Sequence, residues 1–276
     1  MIKKKLFLYF SGSYNNSDGT ASIKGNLGDL FGYYLLRYII NSNEDYKDFQ
    51  IIPINQKTPK EIIKDGVVLS LVGSILNHIP HFKDVPNVNF LGCGNINGDL
   101  IKLIDNVNIL GVRGEFSKNT IKTNNNIEVI SDLGLLLSEV FPLTKVPTKE
   151  IGYIIHSVDR EYFFKKFPQL KVNLIDNYQS PEKFINELLQ YKKIISSSLH
   201  GIIFSHSFNK EVIPIKITDK IIGGDFKFKD YYSSIGYYDL SRLEIPERVD
   251  EFKNLKIDNF TLDFNLIKRK KKYTTD

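Results

Sequence analysis

The chain has 276 residues, of which 42% are hydrophobic and 25% charged, a balance that excludes a disordered chain, a collagen-like polymer and a membrane-embedded bundle. Its length accommodates two modest domains at roughly 100–200 residues each. The one cysteine, Cys93, excludes an intrachain disulfide and a cysteine-based zinc site supplied by this chain, and it suits a reducing cytoplasm. The net charge of +5 points to an anionic partner, but much of the excess sits in Lys268–Lys272 (KRKKK). Charge therefore leaves nucleic acid, an acidic membrane face and a phosphorylated small substrate open.

Met1–Phe10 carries three lysines before a short apolar run and predicts no export signal. Strand-like runs then alternate with helical ones: Leu6–Phe10 and Leu30–Ile40, Gln50–Ile54 and Pro59–Lys64, then Val67–Val72. Val88–Leu91 and Asp99–Asp105 come next, then Ile109–Val112 and Glu115–Lys122, then Ile127–Ile130. This order predicts an α/β fold with a parallel sheet covered by helices. A polar connector with two prolines, Pro142–Glu150, interrupts it. The alternation resumes with Ile151–His156, helix Arg160–Phe167, Lys171–Ile175, helix Pro181–Tyr191, Lys193–Ser196, helix His200–Phe208 and Glu211–Ile217. The economical expectation is two Rossmann-like domains facing one cleft: 1–145, 146–245, then a C-terminal helix over Val249–Lys272 with the basic tail inside 246–276.

The segment most informative about chemistry is Lys193–Phe208 (KIISSSLHGIIFSHSF). A strand runs into Ser196, Ser197 and Ser198, then Leu199, His200 and Gly201 open a helix. Ligands of open α/β sheets bind beyond the carboxyl ends of strands, and a helix N-terminus offers N–H groups to an anion. The serines and the imidazole can cradle a phosphate or carboxylate, or the serines can simply cap the helix while His200 packs. Arg113, in Gly111–Ser117 (GVRGEFS), also comes after a strand; a guanidinium there suits bidentate binding of an anion or an interdomain ion pair.

The loop Gly25–Asp29 (GNLGD) lets the backbone approach a ligand, and Asn26 or Asp29 can cap the next helix. It lacks the dinucleotide-binding spacing. Gly73 with Ser74, and Gly92–Gly98 (GCGNING), end neighbouring strands and can line the same crevice. His156 ends the strand GYIIH and can face it from the other half. His78 and His81 flank Pro80 with no further ligand nearby, so no metal site is expected. His206 stands six residues from His200, on another helix face, and reads as structural. Gly223–Tyr238 interleaves Lys227 and Lys229 with aromatic residues, which suits sugar stacking, phosphate binding or plain amphipathic packing.

Taken together, GNLGD, VVLSLVGSIL, GCGN, VRGEFS, SDLGLLL, GYIIH and IISSSLHGIIFSHSF, from about residue 24 to residue 236, resemble the polysaccharide pyruvyl transferase family. Motif order carries the resemblance. Members transfer pyruvate from phosphoenolpyruvate to a sugar, usually as a ketal, on a two-domain fold similar to GT-B glycosyltransferases. The resemblance implies that Arg113 holds the donor and that Leu199–His200 matches the Leu-His of an Arg-Leu-His donor motif. Ser198 stands in place of the arginine, as in a Ser-Leu-His-Gly subset that includes exopolysaccharide enzymes, and Lys227 or Lys229 is expected to supply the missing charge.

It further implies His200 as general acid/base, the Ser196–Ser198 amides and hydroxyls steadying phosphate, and an acceptor entering near Asn26, Asp29 and Gly73. No cofactor beyond the phosphoenolpyruvate substrate and no nucleic acid are expected. A lipid-linked oligosaccharide acceptor would bring a cytoplasmic enzyme to the inner face of the plasma membrane, with the KRKKK tail as a peripheral contact. Two other functions fit the same shape. One is a nucleotide-sugar glycosyltransferase; the other is a carbohydrate-binding assembly subunit without catalysis.

Overall fold

The computed structural model describes residues 4–10, 14–15, 22–23, 25–55, 57–58, 60–63, 66–257, 263 and 265. From the N-terminus, β1 (Lys4–Tyr9) leads through a small antiparallel ribbon, β2 (Tyr14–Asn15) with β3 (Ser22–Ile23), into α1 (Leu27–Ser42). The first half continues with β4 (Phe49–Ile54), β5 (Val67–Ser70), β6 (Val88–Cys93), β7 (Ile101–Lys102), β8 (Val107–Val112), α2 (Glu115–Asn119), β9 (Ile121–Lys122) and the short helix α3 (Leu137–Val140). The second half holds β10 (Lys149–Ile154), α4 (Ser157–Lys166), α5 (Pro181–Leu188), β11 (Tyr191–Ser196), α6 (Leu199–Ser207), β12 (Glu211–Lys216), α7 (Phe226–Ser234) and β13 (Leu243–Glu244).

Two parallel sheets result. The first has the order β4-β1-β5-β6-β8 and the second β10-β11-β12-β13, every adjacent pair parallel. The fold is therefore α/β, as the alternation predicts. Burial explains the strand sequences: after two exposed lysines, the rest of β1 is buried on both faces, so it reads as a continuous apolar run. One face of the first sheet packs Phe7, Val68 and Phe90 on Ile79 and Phe82. Its other face brings Leu6 and Leu8 into a layer with Phe31 and Leu35 of α1, and that layer continues through Leu199, Ile202, Ile203 and Phe204 of α6. A third cluster, with Tyr153, Phe163, Ile195 and Phe252, covers the far side of the second sheet.

The middle layer joins the halves. The rings of Phe31 and Phe204 meet edge to face with centroids 5.6 Å apart, an arrangement that contributes about 0.5–1.5 kcal/mol beyond the area it buries. The helix-bearing faces are thus closed against each other, and space remains at the strand ends.

Several local expectations differ from the structure. Asp99–Asp105 forms no helix; Ile101 and Lys102 pair with Ile121 and Lys122, and the Ile101 amide donates to the Thr120 carbonyl. Apolar spacing in so short a segment fits either period, and the neighbouring edge decided it. That pairing also ends α2 at Asn119 rather than Lys122. Lys171–Ile175 forms no strand: Pro168 starts a 3-10 turn over Pro168–Asn173, and one bridge, Tyr153 with Leu174, is left. Ile127–Ile130 keeps one bridge, Val112 with Val129. Pro59–Lys64 is reduced to a 3-10 turn, Lys60–Ile63. In the expected C-terminal helix, Val249–Asn254 is a 3-10 turn; most of the chain beyond Asn254, including KRKKK, lies outside the described residues.

Candidate active site

Taken in sequence order, the five strands of the first sheet are arranged second, first, third, fourth, fifth. Connections leave β1 in opposite directions on its two sides, so a crevice opens between the carboxyl ends of β1 and β5. The chain there supplies the start of α1 after β1, and Gly73–Ser74 after β5. A cavity of about 170 Å³ occupies this place, lined by Asn26, Asp29, Gly73, Ser74, His78 and Ile96. The second half closes it with His156, Ser198, Leu199, His200 and Lys227.

Local chemistry positions the first-half residues. Asn26 Oδ1 accepts the Gly28 amide at 2.9 Å, so Asn26 rather than Asp29 caps α1, which begins at Leu27 instead of Leu30. Asp29 then stands in the first turn, free to face the cavity. Burial pushes its carboxyl up to about 7, against the opposing pull of Lys227. Gly73 adopts φ of +100°, a conformation that costs a side-chain-bearing residue, and so turns the chain sharply at the end of β5.

His200 sits in the first turn of α6, whose N-cap is Ser198, with the Ser198 hydroxyl accepting the Gly201 amide at 3.4 Å. Its ring stacks on Phe204 at 5.6 Å. A Cβ on Gly28 would fall 2.1 Å from His200 Nδ1, so the bare backbone of α1 is what lets the imidazole lie across the junction of the halves. Burial, then the charges of Arg113 and Lys227, push its pKa down to about 3, so the ring is neutral near pH 7. His156 is likewise pushed down to about 4, chiefly by burial and by Lys227; its Nδ1 accepts the Val158 amide at the start of α4. Lys227, on α7, is lowered to about 8 by burial and by the nearby Arg113 and Arg242.

Several expected site residues lie behind the cavity. Arg113 is fully buried and absent from the lining. Its Nε donates to Asp230 Oδ2 at 2.9 Å, Nη1 to Ser74 Oγ at 2.7 Å and Nη2 to the Asn95 carbonyl at 3.3 Å. An ion pair between the halves is the arrangement present, and Arg113 reaches the cavity through Ser74. Ser196 Oγ donates to the Ile154 carbonyl and accepts the Ser198 amide, while Ser197 Oγ accepts the His156 amide. Both hydroxyls thus shape the turn and are buried, and only Ser198 of the three lines the cavity. Gly201 also lies behind it; a Cβ there would meet Ile154 Cγ2 at 2.6 Å. Lys229, two positions from Lys227 on α7, lies outside the lining because a helix turns them to different sides.

Sequence reasoning missed His78 as a cavity residue; its Nδ1 is 2.9 Å from the Tyr9 hydroxyl. It also missed Asp230, which accepts from Arg113, the Ser117 amide and the Ser117 hydroxyl and so clamps α7 onto α2. The acidic residue in FKFKDYYSS was the only local signal, and it looks like any surface carboxylate. Among the described residues, no group of three or more His, Cys, Asp or Glu side chains is placed to hold a metal ion.

The arrangement can bind a small anion on Lys227 and the α6 N-terminus, and it places a neutral imidazole and a carboxyl of raised pKa in the same space. Against known proteins, no solved structure matches the chain. The chain is 28% identical over 237 residues to Uncharacterized protein L143 of Acanthamoeba polyphaga mimivirus, covering 78% of this chain and 77% of that protein. The family model for polysaccharide pyruvyl transferase matches residues 1–219, a span that holds both sheets' site-forming loops except α7, and the chain belongs to that family.

Proposed function

We propose that the cavity between the halves binds phosphoenolpyruvate and that the protein transfers its pyruvyl group to a sugar of a surface-polysaccharide precursor as a ketal, releasing phosphate. The observation that carries this reading is the 170 Å³ cavity in which Asp29, His156, Ser198, His200 and Lys227 converge. That volume is below the range of about 300–1,000 Å³ of sites that enclose drug-sized ligands and suits a three-carbon phosphorylated acid. The two halves are read as the GT-B-like pair, the acceptor approaching from the side of Asn26 and Gly73.

In this mechanism Lys227 and the positive end of α6 hold the phosphate, in place of the family arginine replaced by Ser198. His200, neutral when the cavity is empty of charge, gains basicity as the donor's anionic groups arrive. It takes up a proton from solvent as the donor binds and, as imidazolium, delivers that proton to the methylene carbon of the enol, so that the adjacent carbon takes on oxocarbenium character. A sugar hydroxyl adds to that carbon and its proton returns to the ring. The C–O bond to phosphate breaks next, and a second hydroxyl closes the ketal, its proton leaving with the departing phosphate. Arg113 orders this surface through Ser74 rather than by touching the donor. A lipid-linked acceptor would place the protein at the cytoplasmic membrane face, with KRKKK as a peripheral contact; among the described residues no helix is long and apolar enough to cross a membrane.

The test is phosphate release from phosphoenolpyruvate with a panel of pyranoside acceptors, combined with product mass. Acceptor-dependent release with a pyruvylated product, lost in His200→Ala, is the expected result. No turnover with any acceptor, together with no phosphoenolpyruvate binding by calorimetry, overturns the reading.

A further inference from the structure

Behind His200, on the side away from the cavity mouth, lies Asp132 of SDLG. Its Oδ1 accepts the Gly134 amide at 2.9 Å and so caps the 3-10 turn Leu133–Leu136. The cap orients the other oxygen. Oδ2 is buried and has no hydrogen-bond partner, and it lies 4.0 Å from His200 Nε2, which is also buried and also without one. The same oxygen is 4.0 Å from Arg113 Nη1.

Two facing orphan groups are costly, since each buried polar atom left unpaired forfeits about 1–3 kcal/mol. The backbone there is strained as well. Ser131, directly before Asp132, has φ of +78°, uncommon for serine, and is held by the Ser131–Ser234 hydroxyl contact at 2.7 Å. Strain and unpaired buried groups that persist together mark positions that the surrounding structure over-determines, and such positions cluster at functional sites.

We propose that Asp132 is the positioning residue of His200: its Oδ2 accepts the imidazole Nε2–H, which sets the tautomer and leaves Nδ1, over Gly28, as the nitrogen that exchanges protons with substrate. An approach of about 1 Å turns the present separation into a hydrogen bond of ordinary length. Arg113 helps keep the carboxylate ionised, although burial pushes Asp132 up to about 6. Once His200 takes a proton, the carboxylate stabilises the imidazolium, which the positive charges of Arg113 and Lys227 otherwise oppose. The charged and titratable groups facing the pair are thus Arg113 beside β8, Lys227 on α7, His156 before α4, and the buried Cys93 and Tyr231 beside Asp132. Substitution by Asn, with its oxygen kept on the Gly134 amide, turns an NH₂ donor toward Nε2 and favours the opposite tautomer.

The proposal rests on the reading of His200 as the acid/base, and its primary readout is independent of turnover. Selective ¹⁵N-histidine labelling and long-range ¹H–¹⁵N spectra of the full chain without donor, assigned with His200→Gln, report the tautomer directly. Wild type is expected to carry the proton on Nε2, and Asp132→Asn to carry it on Nδ1. In acceptor-dependent turnover, Asp132→Asn is expected to lower kcat about 100-fold with KM for phosphoenolpyruvate changed less than about threefold, and to lose the acid limb near pH 6. A wild-type ring protonated on Nδ1 overturns the proposal without any variant. So does an Asp132→Asn protein with unaltered tautomer, or with unaltered kcat and pH profile. Absence of turnover in wild type counts against the pyruvyl-transfer reading alone, because the spectra still test the Asp132–His200 contact.

Discussion

The two ends of α6 carry the same side chain, with similarly depressed pKa values, in different surroundings. His206, in the last turn, is fully buried, whereas His200, in the first, keeps 12% of its side chain exposed; both stack on an aromatic ring and both are pushed down to about 3. His206 places Nδ1 2.8 Å from the Tyr231 hydroxyl, beside the apolar layer. His200 borders the cavity and faces a buried carboxylate. A depressed pKa therefore follows chiefly from burial at both positions and does not separate them; the cavity and the carboxylate across from His200 do.

The comparison breaks most directly by truncation. His200→Ala is expected to reduce pyruvyl transfer by about 10²–10⁴-fold, the usual range for removing a general acid/base, with a near-normal urea midpoint. His206→Ala is expected to do the reverse: it leaves the Tyr231 hydroxyl unpaired, lowers stability by about 1–3 kcal/mol and leaves kcat within about twofold at a temperature where the protein is folded. Equal loss of activity in the two variants would abolish the distinction. Arg113→Ala should destabilise by about 3–5 kcal/mol, because Asp230 is left as a buried charge without its partner, and a urea titration reads this without any activity assay.

A smaller effect sharpens the role of the cavity's cation. Lys227→Ala is expected to raise KM for phosphoenolpyruvate about 10-fold or more, whereas Lys229→Ala, outside the lining, is expected to change it by less than about twofold. Initial-rate measurements across donor concentrations separate them, and equal effects would remove Lys227 from the donor site.

A last expectation concerns the pH dependence of stability. For His156, His200 and His206 the folded pKa lies below the ordinary 6.5, so their contribution is full above that value and falls away as pH drops through the folded values of about 4, 3 and 3. For Asp29 and Asp132 the folded pKa is raised from 3.8, to about 7 and about 6. Their contribution is full below 3.8 and is lost as pH rises through those values. The two sets oppose each other between pH 7 and pH 4, with the histidines in the majority. Melting from pH 7.5 to 4.5 should thus show a fall in wild type, a shallower fall in His206→Gln and a steeper one in Asp29→Asn. Each full proton of difference is worth about 1.4 kcal/mol per pH unit. A slope unchanged in His206→Gln would mean that this ring takes up its proton in the folded state.

Much of this is legible along the chain. Apolar runs with β-branched residues, broken by glycine and alternating with helical spacing, read as parallel strands and their crossovers, and the loops GNLGD, LVGS and SSSLHG read as strand ends. Asn26, Asp29, Gly73, Ser74, His156, Ser198, Leu199 and His200 stand out at such positions and Lys227 in the basic-aromatic segment Gly223–Tyr238, and all line one cavity. Asp99–Asp105 misleads because seven residues of mixed spacing carry no decisive period, and pairing with Ile121–Lys122 settled it.

Arg113, Ser196, Ser197 and Gly201 stand out too, but their sequence context leaves direct binding and a structural role both open, since a sequence does not say which partner takes a buried donor. The chain's own order thus determined the layer architecture, the turn and cap chemistry at each strand end and the loops able to carry a site, because these depend on periodicities within a few residues of each other. Only the tertiary structure decided that Arg113 is used by Asp230 and Ser74, that Lys227 rather than Lys229 enters the cavity, and that Asp132 aims its second oxygen at His200. Those outcomes depend on contacts between residues as many as 117 positions apart, set by how two sheets pack through a shared apolar layer.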